Sequence, residues 1–165
     1  MTWVTLELDD YLWYVDRAID SMCSIARQLG DELVNERPDL AGANSAYALV
    51  THCCGVMADW GGYAIAGHPV DRDRAAEFVA TGTVADLMET VAAARDQLRV
   101  DLQTLVSADP PRGTPKPKDL ERPLGHSQGA VAWHIYEELA QHLGHLELTR
   151  DIVLHRDAER SSGVG

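Results

Sequence analysis

The chain has 165 residues, 45% of them apolar and 24% charged, which suits one soluble domain able to bury a core without disulfide or metal staples. Its formal net charge is −12 and its isoelectric point lies near 4.8. With no cluster of Lys and Arg to offset it, that charge argues against nucleic acid and against anionic membranes as partners.

The opening stretch MTWVTLELDDYLWYVD has neither the basic start nor the clean apolar run of a signal peptide. No segment reaches the ~18 uninterrupted apolar residues of a membrane span, so a cytosolic placement is expected. Cys23, Cys53 and Cys54 make an odd count with one vicinal pair. That is a poor disulfide framework and fits reduced thiols.

Four long helical patterns follow one another. The first runs from about Leu8 to Val34. Val15, Ala18, Ile19, Met22, Ile25, Ala26 and Leu29 recur at three- and four-residue steps, and Glu36-Arg37-Pro38 ends the pattern. The second spans about Ala43 to Ala66, with Leu49, His52, Val56 and Tyr63 along one face. Gly61 and Gly62 weaken its far end. The third opens at Thr83, with Asp86 three residues on as a capping partner. Its stripe is Val84, Leu87, Met88, Val91, Ala94, Leu98, Leu102 and Leu105, and Asp109-Pro110-Pro111 terminates it. The fourth runs from about Ser127 to His155, with Val131, Ile135, Leu139, Leu146 and Ile152 supplying apolar contacts.

No strand-like alternation and no internal repeat interrupts this pattern. Residues 68–82 and the Pro-rich segment 108–126 read as irregular. The second of these is long, and suits a bundle with a crossover connection rather than simple up-down hairpins. The expected architecture is therefore all-α, a four-helix bundle with a long crossover, forming one domain over residues 1–156. A frayed, flexible tail is expected over 157–165.

The fourth helix carries His134, Glu138, His142 and His145. At ~100° per residue these lie within about 80° of one another, next to the apolar stripe. Buried polar groups are costly unless paired or bound. His134 and His145 are ~16 Å apart along the axis, so one ion cannot serve all four. Glu138 and His142 are one turn apart, and His52, in the middle of the second helix on its apolar face, is the natural third donor. Two imidazoles and a carboxylate leave positions open for water or substrate.

Plainer readings of the same residues exist. His52 also reads as a hydrogen-bonded core histidine, and Glu138 with His142 as an intrahelical pair without metal. Glu137 reads as a solvated charge, His68 and His155 as loop and tail residues, and His126 as a junction residue. Cys53 and Cys54 point ~100° apart from each other and from His52, so these three cannot converge on one ion and read as small core fillers.

The stretch His52-Cys53-Cys54-Gly55-Val56-Met57-Ala58-Asp59-Trp60 resembles the H-x-x-G-V-x-x-x-W signature of the DinB/YfiT superfamily. His134-Ile135-Tyr136-Glu137-Glu138-Leu139-Ala140-Gln141-His142-Leu143-Gly144-His145 is similar to the H-x-x-E-E-x-A-x-H-x-G-H block of its actinobacterial branch. That branch holds mycothiol-dependent maleylpyruvate isomerase and mycothiol S-transferases. Residues 71–87 resemble its link into the third helix. The resemblance implies a DinB-like four-helix bundle with one divalent metal held by His52, Glu138 and His142. It places His134 and His145 around the metal or in the pocket wall. Two departures stand out: Met57 where many relatives carry an acidic residue, and no counterpart in these residues of the isomerase's extra C-terminal domain.

The function so implied is a metal-dependent thiol transferase. Zn(II) is the first expectation, with Ni, Co, Mn or Fe as alternatives. It would activate a low-molecular-weight thiol, mycothiol in this branch, for attack on an electrophilic small molecule. Trp60, Trp133 and Tyr136 are expected to shape the pocket, and Asp59 is the candidate acid or base beside the thiol. The alternatives are a metal-binding stress or sensor module without transferase activity, and a helical dimerisation domain whose histidines are structural. The apolar content of the first and third helices allows a homodimer.

Overall fold

The computed structural model describes residues 7–162, which are helical and contain no strand. Residues 1–6 and 163–165, the last being the end of the expected tail, lie outside the described residues. Five α-helices follow in chain order: α1 (Leu8–Leu33), α2 (Ala46–Met57), α3 (Arg74–Glu77), α4 (Val84–Leu102) and α5 (Gln128–Ser162). α1 lies along α5 and α4, while α2 packs on α4 and α5.

The stripe predicted for α1 is the stripe it buries: Val15, Ala18, Ile19, Met22, Ile25, Ala26 and Leu29 all face the core. The helix is not continuous to its end, however. Gly30 breaks it at φ 69°, a left-handed conformation that glycine alone adopts without strain. α2 starts at Ala46, later than its apolar pattern, because Ser45 caps it by accepting the Ala48 N–H. α4 opens on the expected capping box of Thr83 and Asp86, worth about 1 kcal/mol. It closes at Leu102, where Arg112 donates to Thr104 O and Thr104 Oγ1 and so ties the connection back.

On α5, Val131, Ile135, Leu139 and Leu146 are buried as expected, but Val153 replaces Ile152 as the last core contact. Truncating Ile135, Leu139 or Leu146 to alanine is expected to cost about 2–5 kcal/mol. The expected end near His155 is also corrected, since the helix continues to Ser162. Arg156 and Arg160 on its last turns pair with Glu36 just beyond α1.

The second pattern changes character at its midpoint. Residues Ala58–Ala66 continue α2 as a π-helix, with wider turns closed by Gly67 N–H to Gly62 O at 2.8 Å. Such wide turns are rare and often sit at functional sites. Here the wide turns carry Asp59 and Trp60 to the mouth of a cleft. α3, unforeseen inside the irregular stretch 68–82, is a single turn capped by Asp73, whose side chain accepts from Ala75 and Ala76 N–H at 3.0 Å. The connection from α4 to α5 contains two short 3₁₀ turns, Pro117–Asp119 and Pro123–Gly125. Buried Gln128 stitches it to α5, accepting from Val106 N–H and donating to Pro110 O.

Candidate metal centre

His52, Glu138 and His142 meet at the α2–α5 interface. Each offers one donor atom, and these atoms lie within 4.8 Å of one another. Glu138 Oε2 is 3.6 Å from His52 Nε2 and 3.6 Å from His142 Nε2. Donors about 3.3 Å apart are what one tetrahedral ion with ~2.0 Å bonds requires. The two imidazole rings stand edge to face, with centroids 4.7 Å apart.

His52 is held from behind. Its Nδ1 lies 2.7 Å from Glu77 Oε2. Arg72 clamps the same carboxylate, Nε to Oε1 at 2.6 Å and Nη2 to Oε2 at 3.0 Å, and donates Nη1 to Asp59 Oδ2 at 3.1 Å. Burial alone would raise the Glu77 carboxyl, but Arg72 and His52 overcome it and hold it lowered. An ionised Glu77 can only accept, so Nδ1 carries the hydrogen and Nε2 is left with a lone pair. Phe78 stacks on the His52 ring at 4.6 Å.

This arrangement fits a bound cation. His52 Nε2 is buried without a hydrogen-bond partner, and its lone pair faces a carboxylate oxygen. Two electron-rich atoms aimed at each other in a buried site need a positive charge between them.

Gly55 makes the approach of Glu77 sterically feasible. A Cβ at that position would lie 2.0 Å from Glu77 Oε1 and 3.0 Å from Arg72 Nε. The glycine of the H-x-x-G stretch is therefore the gap through which the Glu77–Arg72 pair reaches His52.

The other sequence-predicted residues separate into two groups. His134 is buried beside the centre, its Nε2 3.7 Å from Glu138 Oε1, with its ring edge-on to Trp60 at 4.9 Å. Its Nδ1 pairs with Glu137 at 3.0 Å, so Glu137 is an exposed charge with a specific partner. Trp60 and Asp59 line the cleft over the centre, a space of about 270 Å³. Asp59 is committed to Arg72 there. His145 stacks beyond His142 at 6.3 Å and is exposed, and desolvation followed by the charge of His142 lowers its pKa. Trp133 and Tyr136 do not line this cleft. They sit together on another flank of α5, beside Tyr14 of α1.

The sequence reading missed Glu77, Arg72 and Phe78. The available signal was Asp73, an N-cap residue that could start a helical turn and so aim Glu77 inward. The three cysteines are free and buried, Cys53 and Cys54 as core fillers. Burial pushes the Cys54 thiol up to about 12 and that of Cys53 well above its ordinary value. None is an activated nucleophile.

Among the described residues no helix is long and apolar enough to cross a membrane. No curated protein and no solved structure matches the chain. The family model described as Mycothiol-S-transferase matches residues 10–154, a span that contains α2, α3, α4 and every residue of the centre. The chain belongs to the mycothiol-S-transferase family.

Proposed function

We propose that the chain is a divalent-metal-dependent thiol transferase. It joins a low-molecular-weight thiol, mycothiol by family, to an electrophilic small molecule. In this reading α1, α2, α4 and α5 form a DinB-like four-helix bundle, with the α4–α5 connection as its crossover. His52, Glu138 and His142 hold the ion, for which Zn(II) is the first candidate on donor chemistry. The observation that carries the reading is the buried, unpartnered Nε2 of His52 facing two further donors, in a chain of this family.

When bound, the ion supplies a Lewis acid that favours the thiolate form of a coordinated thiol. The remaining tasks fall to the protein. Glu77 keeps the His52 proton on Nδ1, so that Nε2 presents its lone pair. Arg72 keeps Glu77 ionised and in place. Phe78 covers one face of the His52 ring, and Trp60 forms a wall of the cleft. The sulfur attacks the electrophilic carbon and forms an S–C bond. That carbon releases a leaving group with its electron pair or shifts a π pair to its neighbour, and the thiol proton passes to solvent.

Metal content by mass spectrometry tests the centre. About one equivalent is expected in the wild type and a large loss in His142→Ala. Transfer to an electrophile such as monochlorobimane is then expected to require both metal and thiol. A protein that takes up no zinc or nickel on reconstitution overturns the reading. One that binds metal, whose affinity and spectrum no thiol alters, is a metal-binding module and not a transferase.

A further inference from the structure

The cleft over His52 has the opposite charge to the chain as a whole. Arg72 and Arg74 enter it from the α2–α4 connection, and Lys116, Lys118 and Arg122 from the α4–α5 connection. Both lysines of the sequence are among them, in a chain of net charge −12. Asp59, Asp119 and Glu138 line the same cleft, with Glu77 behind His52. The cations still outnumber these carboxylates.

Three of the cations have partners. Arg72 is committed to Glu77 and Asp59, Lys116 lies 3.6 Å from Asp59, and Arg122 lies 4.0 Å from buried Asp119. Arg74 stacks over Phe78 at 4.9 Å. Neither Arg74 nor Lys118 has a carboxylate within ion-pair distance among the described residues. Both side chains are exposed, and their field adds to that of the other cations lining the cleft. Concave, low-dielectric walls focus such a field on whatever enters. The charge that balances both is an anion in the cleft.

We propose that the electrophilic co-substrate carries a carboxylate, held by Arg74 and Lys118 while its reactive carbon faces His52, Glu138 and His142. The proposal rests on the transferase reading and names the class of its second substrate. Guanidinium and ammonium groups form charge-assisted hydrogen bonds to a carboxylate.

The test compares N-ethylmaleimide with N-(2-carboxyethyl)maleimide, using one thiol and metal-loaded protein. In both, sulfur bonds to one alkene carbon, and the π pair moves to the neighbouring carbon, which takes a proton from water. Nothing leaves. After subtraction of the uncatalysed rate, kcat/KM for the carboxylated probe is expected to exceed that for the neutral one by roughly tenfold, mostly in KM. The ratio is expected to fall toward one in Arg74→Gln/Lys118→Gln and in high salt. It is expected to hold in Arg17→Gln, whose cation lies over Trp13 on α1. A wild-type ratio near one, or one indifferent to the double substitution, overturns the proposal.

If neither maleimide is turned over, the transferase reading fails and the anion site is read separately. Calorimetric titration of metal-loaded protein with isophthalate is then expected to show binding that the double variant loses. Absent binding, or equal binding in both proteins, overturns the site.

Discussion

His52 Nδ1 donates to Glu77 Oε2 at 2.7 Å, which joins α2 to the single-turn helix α3 and decides which nitrogen of His52 faces Glu138. A histidine whose far nitrogen is held by a carboxylate presents its other nitrogen as a fixed, more basic donor. Glu77→Gln is therefore expected to weaken metal affinity by about tenfold to a hundredfold. Competition against a chelator of known affinity measures this. An unchanged affinity would show that His52 needs no partner behind it.

Gly55→Ala is expected to act on the same bond by a different route. The new methyl would overlap Glu77 Oε1 and crowd Arg72, so either the clamp moves or α2 shifts. Overpacking of this kind costs about 1–3 kcal/mol. Thermal unfolding is expected to show that loss, and the chelator competition a parallel fall in affinity. Gly144→Ala, where a Cβ would meet nothing within 4 Å, is the control: it is expected to leave affinity unchanged and, as a mid-helix glycine replaced by alanine, to raise stability by about 1 kcal/mol rather than lower it.

Buried Asp101 accepts from Gln97 at 2.8 Å and lies 3.0 Å from His68 Nε2. Asp101 raises the His68 pKa, first through the hydrogen bond and also through its charge. Because the folded value is raised, the stability this pair contributes is fully present below the unfolded value of about 6.5 and is lost as pH rises through the folded value. Unfolding midpoints in urea are expected to fall over that window in the wild type. His68→Gln is expected to flatten that fall, and an unaltered profile would count against the pairing.

The thiols offer a fourth check. All three cysteines are buried, and burial raises each of their pKa values. Native protein is expected to resist iodoacetamide, with modification appearing only on unfolding. Cys53→Ala is expected to leave thiol transfer intact, since the reacting sulfur arrives with the substrate. Rapid native labelling would contradict this.

Glu36→Ala tests the anchor of the last helical turns. Glu36 is the shared partner of Arg156 and Arg160, and their charges hold its carboxyl lowered. Its removal is expected to speed amide hydrogen exchange over residues 156–162 while the rest of α5 stays protected. Exchange unchanged over those residues would mean that helix propensity alone holds the segment.

Much of the molecule was legible in the residues alone, because helical periodicity is a local property. The α1 stripe, the Thr83 capping box and the placing of Glu138 and His142 one turn apart follow from spacing. His52 on an apolar face reads as their third donor or as a hydrogen-bonded core histidine, and its approach to Glu138 and His142 comes from the packing of α2 on α5. What lay outside that reach depends on contacts between distant segments. The wide turns at Ala58–Ala66, the delivery of Glu77 to His52 through the gap at Gly55, and the outward flank taken by Trp133 and Tyr136 are settled by how helices pack. So is the charge of the cleft. No run of basic residues is visible along the chain, and only the folding of two connections over one site gathers Arg72, Arg74, Lys116, Lys118 and Arg122. Sequence spacing determines which side chains share a helix face, whereas charge density in a cleft is a sum over segments far apart in the chain, which only tertiary packing brings within a Debye length of one another.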